Sequence, residues 1–159
     1  MGYKRPGFEQ GVLIGGLAMG FYTRPRETQD VDVLFLSEVA VPKTVEGFKR
    51  IRKGAFEERV TQVEVEVVTP NSFNPPLPHK LAEKVLETSV VHQGLRVASA
   101  KGMMALKLFG AGDKKRYFED MKDVAALLME HGGDLNVDES WGLRPEDLTR
   151  LAVAKQQVE

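Results

Sequence analysis

Val12-Leu13-Ile14-Gly15-Gly16-Leu17-Ala18, followed after a polar stretch by Thr28-Gln29-Asp30-Val31-Asp32-Val33-Leu34, is the part of the chain whose reading decides its fold. An apolar run ends in a double glycine, and Asp30 lies 14 residues beyond Gly16, at the head of a β-branched run. Residues i and i+2 of a strand point to one face, so Asp30 and Asp32 stand side by side. Paired carboxylates suit a hard, oxygen-seeking cation such as Mg²⁺ or Mn²⁺. A second segment, Val63-Glu64-Val65-Glu66-Val67-Val68-Thr69-Pro70, alternates with the period of a strand. Val63, Val65 and Val67 share one face, while Glu64, Glu66 and Val68 share the other. If the two strands pair, a third carboxylate joins the aspartates. Glu66 lies deeper in the apolar run and nearer Pro70 than Glu64, and is taken as that third group. Left unneutralised, such a cluster repels itself, which a bound cation would relieve.

Composition narrows the field. The chain has 159 residues, enough for one domain with a sizeable core, here expected over residues 11–130 with a helical C-terminal extension over 131–159. Its 22 Lys and Arg against 23 Asp and Glu leave a formal net charge of −1, which gives no bulk attraction to nucleic acid or to an acidic membrane. With no cysteine, disulfide, thiol and thiolate-metal chemistry are excluded. No apolar run approaches a membrane span and no signal-peptide core is visible, so the expected compartment is the cytoplasm.

Along the chain, strands alternate with helices. Val12 to Ile14 reads as a buried strand, Gly15-Gly16 as a turn, Leu17 to Phe21 as a helix start, and Val31 to Leu36 as a central strand. Thr44 is a plausible N-cap of a helix reaching about Glu58, because Val45, Phe48, Ile51, Ala55 and Phe56 follow the helical period. Gln62 to Thr69 is a strand ended by Pro70. Lys80 to Thr88 is a short helix, and Val90 to Val97, broken at Gly94, is hairpin-like. Ser99 caps a helix over Lys101 to Phe109. Lys114 to His131 is a strong helix closed by Gly132-Gly133, and Pro145 opens the last one, through Lys155. The pattern is that of an α/β or α+β domain.

Each candidate has a plain structural alternative. The double glycine could let backbone N–H groups approach phosphate oxygens, or could be an ordinary strand-to-helix turn. It is no P-loop, lacking the Lys-Ser/Thr ending, and no dinucleotide fingerprint. Asp30 and Asp32 could be surface aspartates paired with Arg24 or Arg26. Yet Asp32 lies between two valines in the most apolar strand, where an unpaired carboxylate is costly. A haloacid-dehalogenase phosphatase also uses Asp-x-Asp, but there the pair follows its strand, whereas here the strand follows the pair. Lys107 sits among Met103, Met104, Ala105, Leu106, Leu108 and Phe109. It would either snorkel out of the core or reach a triphosphate as a point charge. Arg116 and Asp120 are an i, i+4 pair with Asp123 one turn on, a cluster that usually supports a helix surface. His79, His92 and His131 lack ligand-like spacing and are read as structural or exposed.

In order, Leu13-Ile14-Gly15-Gly16, Asp30-Val31-Asp32 and Glu66 resemble the signature of the nucleotidyltransferase superfamily, the polymerase-β-like fold. The chain is most similar to its small bacterial minimal members, including the domain of AbiEii-type toxins. Arg26-Glu27-Thr28 matches their Arg-x-Thr lead into the aspartates, and Lys107, Arg116, Asp120 and Asp123 before Leu127-Leu128 match their later helices. The third carboxylate is often Asp in the family and is Glu here. The resemblance implies a mixed β-sheet flanked by helices, with Asp30, Asp32 and Glu66 as catalytic and metal-holding residues. It implies Gly15, Gly16, Thr28 and Lys107 as nucleotide-binding, with Mg²⁺ or Mn²⁺ as cofactor and a nucleoside triphosphate as substrate. The reaction implied is transfer of a nucleoside monophosphate to an acceptor hydroxyl on a small molecule, an RNA or a protein. Two other readings accompany it. One is a non-catalytic nucleotide- or partner-binding module, with an antitoxin-type partner or a homo-oligomer. The other is a metal-dependent phosphodiester hydrolase using the same acidic trio.

Overall fold

The computed structural model describes residues 7–24 and 30–158. Among the described residues, seven strands form one mixed sheet. They are β1 (Val12–Ile14), β2 (Val31–Leu34), β3 (Phe48–Arg52), β4 (Ala55–Glu58), β5 (Glu64–Val68), β6 (Val90–His92) and β7 (Leu95–Val97), in the order β3-β4-β5-β2-β1-β7-β6. Pairs β2–β5 and β1–β7 are parallel; the other four are antiparallel. Five helices accompany the sheet: α1 (Gly15–Met19), α2 (His79–Glu87), α3 (Ala100–Gly110), α4 (Tyr117–His131) and α5 (Pro145–Val158).

Strand alternation decides which side chains meet the helices. Val33, Phe35 and Val65 face a small apolar cluster joined by Phe8, Val41, Phe48 and Val67. Leu34 and Val68 instead pack with the large core, where Val12, Met19, Leu81, Met103, Leu108, Val124 and Leu151 are buried. Asp32 and Glu66 have the parity of Leu34 and Val68, so both carboxylates belong to the helical side of the sheet. The C-terminal stretch joins the same core through Leu135, Val137, Trp141, Leu143, Leu151 and Ala154. Its Asp147 is fully buried, with Arg144 and Arg150 closing on it. These arginines also donate to the Phe109 and Leu108 carbonyls at the end of α3, which fastens α5 to α3.

Most expected elements stand where the sequence places them. Ser99 accepts a hydrogen bond from the Gly102 N–H at 3.0 Å and so caps α3. Gly94, at φ +78°, turns the β6–β7 hairpin, and Pro145 opens α5. One expectation is overturned: residues 44–58 are no helix but the hairpin β3–β4. Gly54 has φ +78° and Gly47 φ +84°, left-handed values that no right-handed helix accommodates. The apolar spacing that suggested a helix instead alternates across the sheet, with Phe48 packed against the small cluster and Phe56 buried. Among the described residues, no helix is long and apolar enough to cross a membrane.

Candidate active site

The sheet brings the acidic segments together by register. Ile14 of β1 lies opposite Asp32 of β2, and Asp32 lies opposite Glu66 of β5. Because β2 and β5 run parallel, Asp32 and Glu66 are on adjacent strands about 4.8 Å apart. Glu64 is two residues back, across from Glu57 of β4.

Gly15 shapes the ground beside Asp32. It begins α1 directly after β1 and has φ +78°. A Cβ on it would stand 2.5 Å from Asp32 Oδ2, so only glycine lets the strand end pass the carboxylate this closely.

Gly15, Asp30, Asp32, Glu66, Lys107, Arg116 and Asp120 all line one cleft of about 440 Å³. Its apolar wall comes from Phe73, Leu77, Met103, Leu106 and Phe109. Gly16 and Glu64 are not among the lining residues. Thr28, with Arg26 and Glu27, lies outside the described residues. The sequence reading missed Phe73, Asn74 and Pro75, which join the lining from the loop after β5. This loop carries Pro75, Pro76 and Pro78, a composition that says nothing of its lining the same cleft as the carboxylates.

Crowding shows in the electrostatics. The Asp32 carboxyl is raised above its ordinary value, first by burial, then by the negative charges of Glu66 and Asp30. Lys107 and Arg116 oppose the shift from across the cleft without cancelling it.

Lys107 neither snorkels to solvent nor stands alone. Its side chain is 12% exposed, and its Nζ lies 3.0 Å from Asp123 Oδ2 and 3.5 Å from Asp120 Oδ1. Asp120 and Asp123 are buried, contrary to the expectation of a surface cluster. Helix α4 turns them onto α3, so closely that a Cβ on Gly110 would collide with Asp120 Oδ2. Burial at this junction is tolerable because Lys107 and Arg116 supply the opposing charge. Arg116 donates from Nε to Asp120 Oδ2 at 3.3 Å and from Nη2 to Oδ1 at 3.4 Å. Its side chain stays 59% exposed at the cleft.

The histidines take structural positions. His92 stacks on Phe21 and lies 3.2 Å from the Tyr22 hydroxyl, while His131 Nε2 is 2.9 Å from the Tyr22 carbonyl. Both brace the segment leaving α1.

The third carboxylate has a partner that the sequence did not suggest. Arg52 Nη2 lies 3.2 Å from Glu66 Oε1, and Arg52 Nη1 pairs with Glu64. Among the described residues, no three His, Cys, Asp or Glu side chains converge tightly enough to grip a metal ion as they stand. The donor set nevertheless fits one. All three groups are carboxylates, the charges of Glu66 and Asp30 help to raise the Asp32 pKa, and backbone register already sets Asp32 and Glu66 opposite each other.

Asp32 lies on β2, Asp30 just before that strand begins and Glu66 on the parallel neighbour β5, in a mixed sheet whose fold is nucleotidyltransferase-like. The chain is similar over 92% of its length to a solved structure, an antigenic nucleotidyltransferase-like protein from Paracoccidioides brasiliensis. That likeness covers 79% of the other chain, with a TM-score of 0.55 and 17% sequence identity. No protein-family model and no curated protein sequence matches the chain.

Proposed function

We propose that the protein is a metal-dependent nucleotidyltransferase that moves a nucleoside monophosphate from a nucleoside triphosphate to an acceptor hydroxyl. The observation that carries this reading is the register setting Asp32 opposite Glu66, inside the cleft that Asp30 and Gly15 also line. Asp30, Asp32 and Glu66 would hold Mg²⁺ or Mn²⁺, which when bound neutralises phosphate charge and polarises the phosphoryl oxygens.

The chain's own groups do the rest by position and charge. The backbone at Gly15, which lines the cleft at the start of α1, would bring N–H groups near the triphosphate. Arg116 has guanidinium donors beyond the two spent on Asp120. Lys107 adds positive charge from the floor of the same cleft. Phe73, Leu77 and Leu106 offer an apolar surface to the nucleoside. In the transfer, the acceptor oxygen bonds to the α-phosphorus and the α–β bridging bond breaks. Pyrophosphate leaves with that electron pair. The acceptor proton passes to Glu66, whose side chain is 45% exposed and can hand it to water.

The test is incubation of the purified chain with each α-labelled nucleoside triphosphate, Mg²⁺, and separated RNA, protein and small-molecule fractions. Label should enter one fraction with the wild type and none with Asp32→Asn. Cleavage of a phosphodiester without triphosphate would favour the hydrolase reading, and nucleotide binding without transfer the binding-module reading.

A further inference from the structure

β3 is an edge strand, and its last residue, Arg52, reaches across β4 to the strand beyond it. The β3–β4 register shifts between Arg50 and Arg52, which sets Arg52 opposite Ala55. Ala55 in turn lies opposite Glu66, and Glu66 opposite Asp32. One row therefore runs Arg52, Ala55, Glu66, Asp32 over four adjacent strands. Ala55 is buried and ends at Cβ, so no longer side chain bars the guanidinium from the carboxylates.

We infer that Arg52 is a positioning residue that holds Glu66 away from Asp30 and Asp32 until a divalent ion displaces it, so that the third carboxylate joins the site only on ion binding. The inference rests on the reading of Asp30, Asp32 and Glu66 as the ion-holding set. Backbone register already places Asp32 and Glu66 as neighbours, so the direction of the Glu66 side chain decides whether the trio closes. Arg52 controls that direction, with one arm of its planar fork on Glu64 and the other on Glu66. Glu66 thereby has one carboxylate oxygen engaged by Arg52, and among the described residues no three acidic or histidine side chains converge on a metal position.

The latch is built to open. The Arg52 side chain is 54% exposed, and a water-exposed ion pair yields readily to a divalent cation. On release Arg52 keeps Glu64 as its partner, so opening leaves no stranded charge. A plainer possibility is that Arg52 only lends positive charge to an acidic patch. A lysine would do that equally well, whereas it cannot span two carboxylates with a fixed fork.

Calorimetric titration of Mn²⁺ into the full chain without nucleotide separates these, using wild type, Arg52→Gln and Arg52→Lys. The latch predicts binding about two- to fivefold tighter in Arg52→Gln, with Arg52→Lys closer to it than to wild type. Addition of Asp32→Asn to Arg52→Gln should abolish binding. Binding detected in the two variants but not in wild type also supports the latch. Arg52→Lys matching wild type, or Arg52→Gln unchanged or weaker, overturns the latch and leaves the metal reading intact. No binding in any of the three overturns the metal reading and the latch with it.

Discussion

A methyl group on Gly15 would stand 2.5 Å from Asp32 Oδ2, so the start of α1 and the carboxylate on β2 occupy their places only because residue 15 has no side chain. Gly15→Ala therefore meets two penalties: a left-handed φ of +78° and overlap with an oxygen. The backbone penalty alone is about 1–2 kcal/mol. The overlap is relieved by turning Asp32 away, so Mn²⁺ affinity should fall together with stability. Urea denaturation and Mn²⁺ calorimetry measure the two effects. A variant as stable as wild type with undiminished Mn²⁺ binding would show that the contact shapes nothing.

Asp32 makes the site pH-sensitive in a direction opposite to most native carboxylates. Its folded pKa is raised above the ordinary 3.8 by burial and by Glu66 and Asp30. Between the ordinary and the raised value, the native state binds more protons than the unfolded state, so metal-free stability falls as pH rises through that window. Asp32→Asn removes this loss. Below the window the two proteins should melt alike, and above it the variant should melt higher without metal. Mg²⁺ should raise the wild type's melting temperature and leave the variant's unchanged. Thermal melts from pH 3 to pH 8, with and without Mg²⁺, check each sign, and a variant melting lower at neutral pH without metal would mean that Asp32 holds the fold together.

Glu66 and Glu64 share a strand face, but only Glu66 lies opposite Asp32 and lines the cleft. Glu66→Gln should weaken Mn²⁺ binding by about tenfold or more, the equivalent of losing one charge-assisted contact. Glu64→Gln should weaken it by less than about threefold, since Glu64 pairs with Arg52 but does not line the cleft. Parallel titrations of the two variants decide between them, and the reverse ranking would move the third ligand to Glu64.

The motifs were legible where local chemistry dictates local geometry. The valine alternation of β5 and the Ser99 cap each express a short-range rule, and each holds, whereas the double glycine expected as a turn begins α1 itself. Residues 44–58 show where such rules conflict. Val45, Phe48, Ile51, Ala55 and Phe56 fit a helical period, while Gly47 and Gly54 forbid a continuous helix. The glycines, having no alternative conformational role there, carried the better signal. That error hid Arg52, because a helix over residues 44–58 would not set it on a strand beside β4 and β5. Its contact with Glu66 depends on strand order and a register shift, neither of which any single segment encodes. Burial of Asp120 and Asp123 was hidden for a related reason. An i, i+4 spacing tells which residues share a helix face, not which face meets α3.

Lys107 is where the structure changes the expected outcome of a substitution most. Had its ammonium reached into solvent or toward a phosphate alone, Lys107→Met would preserve the stem's packing and spare the fold. Instead the ammonium lies between two buried carboxylates, 3.0 Å from Asp123 and 3.5 Å from Asp120. Methionine leaves both in a low-dielectric junction with Arg116 as the nearest remaining cation for Asp120. Breaking a buried pair by removing one partner costs about 3–5 kcal/mol, and Lys107→Met should lose stability in that range by urea denaturation. Adding Asp123→Asn removes one of the two buried negative charges that faced Lys107 and should restore part of the loss, because the two positions act on one another directly. Triphosphate affinity of the double variant, measured well below its transition, then reports whether Lys107 also serves the nucleotide. A Lys107→Met protein within about 0.5 kcal/mol of wild type, the range of ordinary surface changes, would show that the cluster carries little of the fold's stability.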